Sequence, residues 1–455
     1  MPSKRAMIFK DIAQLTTQIV SVRLLYTVIG IIGMIFIAQL GNQAVAAGAL
    51  ATALSTTFTV IGMSPLLMVG IVVSRSVGQG NTDTIGHYIR QAWLMGLCLG
   101  LLSAGALIFV ANSLSYLGQP DEIIPLVKEY LYGSAWGTVP LYLIASCNQL
   151  FFPIKKGNLV IFWGLMTFLF ILCLGTALTF GYVGFPRLGI GGWSYATSIV
   201  NWVVFTLIVL YLYFHKDFKV YNLFNFKEKI QLSQMIDLLK LSLPITLQFS
   251  GELLAFSFLN LMVGWLGVSA LSVQQIIIQC STFALMFPMG GAQSSAMLIG
   301  QAVGRNEREI IKSIFYLSLL FVSLCMLVIA GVYIFLPKQI IGIYLTDSLS
   351  EQGIIELATI VLSITAFSQI VDAIRNVGIG ALRGLHDVWM PMWMNMALLW
   401  LFALPSAYFL GFTLGYGVVG LNLGFLIAFL IGAILMTLRF RLINQKLILN
   451  LEPSS

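Results

Sequence analysis

Residues Leu241–Trp265 read LSLPITLQFSGELLAFSFLNLMVGW, an apolar run long enough to cross a bilayer and interrupted by a single charge, Glu252. A charge at mid-bilayer costs about 2.5–3.5 kcal/mol on an insertion scale, so an acid in such a run usually faces a cavity and marks an ion or substrate path. Glu252 stands twelve residues beyond Lys240, roughly 18 Å along a helix at about 1.5 Å per residue. That depth is near the middle of a hydrocarbon core about 30 Å thick.

Similar runs fill the chain. With 59% apolar and 9% charged residues and a mean hydropathy of +0.94, the composition excludes a water-soluble domain and points to a polytopic membrane protein. The runs are too long and too continuously apolar for the alternating strands of a membrane barrel, so they read as helices. Twelve are expected, at about Ile19–Leu40, Ala44–Ser74, Tyr88–Leu114, Val127–Phe151, Asn158–Tyr182, Ile190–Phe214, Leu241–Trp265, Leu271–Gly300, Ser313–Leu336, Ile354–Leu382, Pro391–Gly411 and Gly415–Phe440.

The net charge of +7 is spread over helix ends rather than gathered in a patch, so no nucleic-acid partner is implied. Lys4, Arg5, Lys10, Arg75, Arg90, Lys155, Lys156, Lys216, Lys219, Lys227, Lys229, Lys240, Arg305, Arg308, Lys312, Arg383, Arg439, Arg441 and Lys446 fall on one set of loops and tails. Only Lys128, Arg187 and Lys338 fall on the other. The positive-inside rule then puts both termini in the cytoplasm. The five cysteines lie inside apolar runs without paired spacing and read as packing residues.

The polar stretch 215–240 divides the crossings six and six, giving an expected N-lobe over 1–214, a cytoplasmic linker over 215–240 and a C-lobe over 241–455. An internal repeat supports the division. A shift of 226 residues aligns Leu266-Gly267 with Leu40-Gly41, Ala270 with Ala44, Ser281-Thr282 with Ser55-Thr56, Met289 with Met63 and Val303-Gly304 with Val77-Gly78. A shift of 227 then sets Arg383-Gly384 on Lys156-Gly157. The expected fold is all-α, with twelve transmembrane helices in two pseudo-symmetric six-helix lobes around a central cleft, where a transporter keeps its substrate.

Besides Glu252, only Asp372 among the acids falls deep inside a run; the rest lie in loops, tails or helix ends. It precedes Arg383 by eleven residues, a depth of roughly 16 Å. Two carboxylates therefore share one level of the membrane, and the register partners of Glu252 and Asp372 in the first half are Tyr26 and Ala145. The second lobe is the expected ion-coupling lobe. Either acid, once deprotonated, can attract an amphipathic cation or, with neighbouring oxygens, Na+. Arg375, three residues past Asp372, offers that acid a structural partner on the same helix face, or holds it ionised until an ion or substrate competes. Gln248, Gln275, Gln279 and Gln369 can orient a carboxyl, line the cleft or act as interhelical glue. Phe256 and Met286 can form part of an aromatic and thioether surface for planar cations or simply pack. Pro65, Pro140, Pro244 and Pro288 fall in helix interiors, where they kink.

Taken together, these patterns resemble the multidrug and toxic compound extrusion (MATE) family, and its NorM-like bacterial branch in particular. The resemblance rests on the six-plus-six repeat, Pro244 followed eight residues later by Glu252, the Gln275–Gly304 stretch with Phe287-Pro288-Met289, and Gln369-Ile370-Val371-Asp372 leading to Gly380-Ala381-Leu382-Arg383-Gly384. It implies a secondary active exporter in a bacterial inner membrane, functional as a monomer among membrane lipids and exchanging H+ or Na+ for small amphipathic cationic drugs. It further implies ion coupling and cation handling at Glu252 and Asp372. Where many members carry an aspartate in helix one, this chain reads Ile35-Phe36-Ile37, so no coupling site is expected in the first lobe. The alternative is a flippase for a lipid-linked saccharide, which needs several cations for phosphate where Arg375 is the clearest deep one. An enzyme or an ATP-driven pump is not expected. His87, His215 and His386 sit at membrane boundaries, and there is neither a Cys/His cluster with metal-ligand spacing nor a Gly-Lys-Ser/Thr loop.

Overall fold

A lipid core offers backbone groups no water, so a spanning segment must satisfy its own N–H and C=O groups, and long apolar runs do so as helices. The computed structural model describes residues 4–225, 232–344 and 352–449, and every element among them is a helix. Lys227 and Lys229, expected on the linker, lie outside the described residues. In chain order the helices are α1 Lys4–Ala38, α2 Asn42–Met63, α3 Leu66–Gln79, α4 Thr82–Ser113, α5 Ile124–Phe151, α6 Gly157–Phe180, α7 Gly189–Phe214 and α8 Lys216–Lys219. They continue with α9 Leu232–Trp265, α10 Val268–Gly304, α11 Arg308–Phe335, α12 Pro337–Ile341, α13 Gln352–Gly384, α14 Trp389–Ala397, α15 Leu404–Tyr408 and α16 Gly417–Leu449.

Among the described residues, eleven spans are long and apolar enough to cross a membrane, counting α2 with α3 and α14 with α15 as one each. The twelfth expected run, α5, is 28 residues long but carries Lys128, Glu129, Asn148 and Gln149. Most of its side chains are buried by neighbouring helices rather than facing lipid, so it needs less apolar surface. Two expected details change. Pro65 does not sit inside one long helix; it separates α2 from α3, and the Ser64 hydroxyl donates to the Ile61 carbonyl that proline leaves without its usual donor (2.7 Å). The run 391–411 is not uniform either, because π-helical turns occupy Leu398–Ala403 and Phe409–Thr413.

The internal repeat is visible in the backbone. Gly41 before α2 and Gly267 before α10 adopt φ values of 112° and 104°, a left-handed region that disfavours a side chain, and they stand 226 positions apart. Gly80 after α3 and Asn306 after α10 are also 226 apart and share φ values of 71° and 59°.

The helices divide into two compact units, Ser21–Thr246 and Met1–Val20 with Leu247–Ser455. In the first, α5 is central, packed by α2, α3, α4 and α7. Small residues let the backbones approach: a Cβ on Gly100 would lie 2.8 Å from Val139 Cα, and one on Gly137 3.0 Å from Ser198 Cα. Across these contacts Thr138 donates to the Gly100 carbonyl (3.0 Å) and Ser198 to that of Gly133 (2.6 Å). Pro140 deprives the Trp136 carbonyl of its helical donor, and Trp202 Nε1 supplies one at 3.2 Å.

In the second unit the same place is held by α13, packed by α10, α11 and α16. Gly380 and Gly384 set α13 against α10 so closely that a Cβ would lie 2.1 Å from the Ala292 oxygen and 2.7 Å from the Ala296 oxygen. The start of α1 belongs to this unit, with Thr16 hydrogen-bonded to Ser294 (2.7 Å) and Phe9 edge-on to Phe321.

Candidate functional site

Glu252 and Asp372, expected at one depth from counting alone, are brought together on Arg375. Asp372 and Arg375 lie one turn apart on α13; Arg375 Nε donates to Asp372 Oδ1 at 2.8 Å, and Nη2 approaches the same oxygen at 2.7 Å. Arg375 Nη1 reaches Glu252 Oε1 on α9 at 3.3 Å. The second Asp372 oxygen accepts from Asn376 Nδ2 at 2.9 Å. Asp372 and Arg375 are almost completely enclosed, whereas the Glu252 side chain keeps 13% of its surface exposed.

Glu252 is held asymmetrically. Its Oε1 accepts from Arg375 Nη1, from Asn395 Nδ2 (2.8 Å) and from Gln248 Nε2 (3.0 Å). Among the described residues Oε2 accepts no hydrogen bond. Three donors converge on one oxygen, one of them a guanidinium, and charge-assisted bonds are the stronger kind. Gln248 is itself oriented from behind: Arg383 Nη2 donates to its Oε1 at 2.8 Å, which turns its amide nitrogen toward Glu252. Arg383 also lies over the Phe249 ring at 5.7 Å.

Four helices contribute. Asn395, fully buried on α14, donates to Glu252 and accepts from Arg375 Nη1. It stands just before the π-helical turn at Leu398–Ala403, and inserted turns of this kind re-aim side chains and recur at functional sites. From α16, Phe429 lies under the guanidinium at 5.1 Å, a cation–π contact that gains strength when desolvated. Gly432 on the same helix leaves space for the arginine stem, since a Cβ there would lie 2.9 Å from Arg375 Cδ. An aromatic row continues outward from Phe429 to Phe425 (5.9 Å) and from Phe425 to Phe256 (5.5 Å, stacked). Phe256, one turn beyond Glu252, is 36% exposed.

The remaining expected residues stand apart from this cluster. Gln275 and Gln279 are exposed one turn apart on α10, and Met286 on the same helix is buried. None of the three takes part in the hydrogen bonds around the acids. Asn395, Asn376 and Phe429 were not anticipated. An asparagine or phenylalanine in an apolar run has no charge to mark it, and Asn395 faces Glu252 only because of how α14 packs. Gln369, one turn before Asp372, is buried with neither amide atom hydrogen-bonded.

The MatE family profile matches residues 19–176 and 244–409. A protein of Xanthomonas campestris described as a probable multidrug resistance protein NorM is 29% identical over 425 residues, covering 93% of this chain and 92% of its own length. Its namesake in Agrobacterium fabrum is 26% identical over 417 residues, covering 91% and 89%. Among solved structures, an outward-facing multidrug resistance MATE family transporter superposes with a TM-score of 0.87 at 17% identity, covering 98% of this chain and 99% of that one. The Vibrio cholerae MATE transporter VcmN in its bent form gives 0.87 at 19% identity with the same coverage. At such identities these likenesses establish the fold.

Proposed function

The chain belongs to the MatE family of multi-pass membrane transporters and is not an enzyme; from that premise we propose that it is a secondary active exporter that exchanges H+ or Na+ for amphipathic organic cations. The observation that carries this is Glu252, whose Oε1 accepts from three donors while Oε2 accepts none among the described residues. In the cycle, the substrate's positive charge approaches Oε2 while its flat apolar body lies along Phe256, backed by Phe425. Arrival of the coupling ion at the same oxygen removes the charge that holds the substrate, and the substrate leaves outward. Release of the ion into the cytoplasm restores the anionic site. Exchange of one monovalent ion for one monovalent organic cation moves no net charge, so the drive is the ion's own concentration gradient, about 1.4 kcal/mol for each pH unit or tenfold in ion. A single ion per cycle therefore sustains about a tenfold drug gradient for each tenfold ion gradient.

Gln275 and Gln279 are proposed to line the route on the exposed face of α10, with Met286 packed behind them. We further place both termini in the cytoplasm and the protein in a bacterial plasma membrane. The relatives named as multidrug resistance proteins and the exposed ring beside an acid favour a cationic drug over a lipid-linked sugar. Ethidium efflux from proteoliposomes under separately imposed proton and sodium gradients tests the reading. Transport under one or both gradients is expected; movement of a labelled lipid-linked saccharide without ethidium transport would replace it with the flippase.

A further inference from the structure

The cation nearest the two acids is part of the protein. Arg375 Nε and Nη2 both engage Asp372 Oδ1, Nη1 touches Glu252, and the guanidinium is enclosed by Phe429 and by the space at Gly432. A guanidinium stays protonated at any working pH and is the side chain best suited to bridge carboxylates. The acids differ in turn. Asp372 has both oxygens bonded and is only 3% exposed, whereas Glu252 has a free oxygen and a residual opening. Two carboxylates and one guanidinium sum to one negative charge. A further guanidinium, Arg383, hydrogen-bonds Gln248 rather than either acid, and its charge also acts on Glu252.

Resting on the reading of these acids as the coupling site, we propose that Arg375 is a resident counter-cation that permanently neutralises one acid. The cluster then exchanges a single positive charge, taken up at Glu252. A second incoming cation would have to sit against the guanidinium or expel it from Asp372, and like-charge repulsion at close range opposes the first course. The break with Asp372 would strand a buried charge, which opposes the second. The coupling ratio is therefore one ion for one monovalent organic cation. Arg375 acts as a positioning residue that determines it.

The test counts ions displaced when tetraphenylphosphonium binds the purified full-length protein. Proton release in weakly buffered solution and loss of bound radioactive sodium are summed. One ion per tetraphenylphosphonium is expected for the native chain. Arg375→Gln removes the resident charge and is expected to double the count to two, while Arg375→Lys keeps it at one. A count of two for the native chain, or of one for Arg375→Gln, overturns the proposal and leaves the coupling reading standing. A count of zero overturns both. Should Arg375→Gln not assemble, the native and Arg375→Lys counts decide, with one for each supporting the assignment and two refuting it.

Discussion

At the scale of single residues, the site is a set of donors gathered on one oxygen of Glu252, Oε1. Asn395 is the sharpest probe, because it both donates to Glu252 and accepts from Arg375. Replacing it by leucine leaves two charged groups short of a partner, at a cost of about 1–3 kcal/mol. Gradient-driven ethidium efflux by Asn395→Leu is expected to fall about tenfold or more, with the protein still eluting from a sizing column as the native chain does. Native rates would remove Asn395 from the site. Gly432→Ala presses on the arginine stem from the other side, its Cβ 2.9 Å from Arg375 Cδ and 2.6 Å from Leu398 Cδ2. It is expected to lower coupled transport more than it lowers thermal stability. The acids themselves were readable from the sequence, since each is a charge placed where hydrocarbon is the solvent. Their meeting was readable only as equal depth. Gln248, one turn before Glu252, was readable as a residue able to orient its carboxyl, but the parts of Asn395 and Arg383 were not, because they depend on side-chain direction across helices that are distant in the chain.

At the scale of elements, the fourth helix of each half is the one on which the others pack, and its glycines set the spacing. Gly380→Val puts bulk where even a Cβ would lie 2.1 Å from a backbone oxygen of α10. Overpacking of this kind typically costs about 1–3 kcal/mol. A clear drop in the melting temperature of Gly380→Val is expected, whereas Gly105→Val, with nothing within 4 Å of its Cβ position, is expected to melt like the native chain. The short helix α8 is tied down by charge. Lys156 Nζ donates to Asp217 Oδ2 at 3.1 Å, and chiefly through this bond, then through the Lys156 charge, holds the Asp217 carboxyl below its ordinary value of 3.8. A carboxyl lowered on folding contributes stability above its unfolded value and loses it as pH falls through the lower folded one. The tether is thus complete at neutral pH and released only in acid below 3.8. Both partners are about half exposed, 47% and 52%, so the contribution is small and screened by salt. Asp217→Asn is expected to make proteolysis after α8 independent of pH in that acid range. The helices were legible as apolar runs and the repeat as a constant register shift, borne on the backbone by Gly41 with Gly267 and Gly80 with Asn306. The break at Pro65 and the π-helical turns of 398–413 were not, because proline tolerance and turn type depend on which neighbours take up the freed carbonyls.

At the scale of the whole molecule, the two halves share an architecture and differ in chemistry. The second carries the acid pair, where the first has Tyr26 and Ala145 in register. In the proposed cycle the driving ion therefore acts on one unit. The expected boundary lay in the 215–240 stretch, whereas the second unit begins at Leu247 and includes Met1–Val20; the start of α1 packs there through Thr16 and Phe9, a contact invisible to a reading by polar linkers. The central proposal is that Glu252 and Asp372 link the ion to the drug. Ethidium uptake into inverted proteoliposomes, driven by an imposed proton or sodium gradient, should collapse to the rate of protein-free liposomes in both Glu252→Gln and Asp372→Asn. Uptake by both variants at the native rate under the same gradients would contradict it.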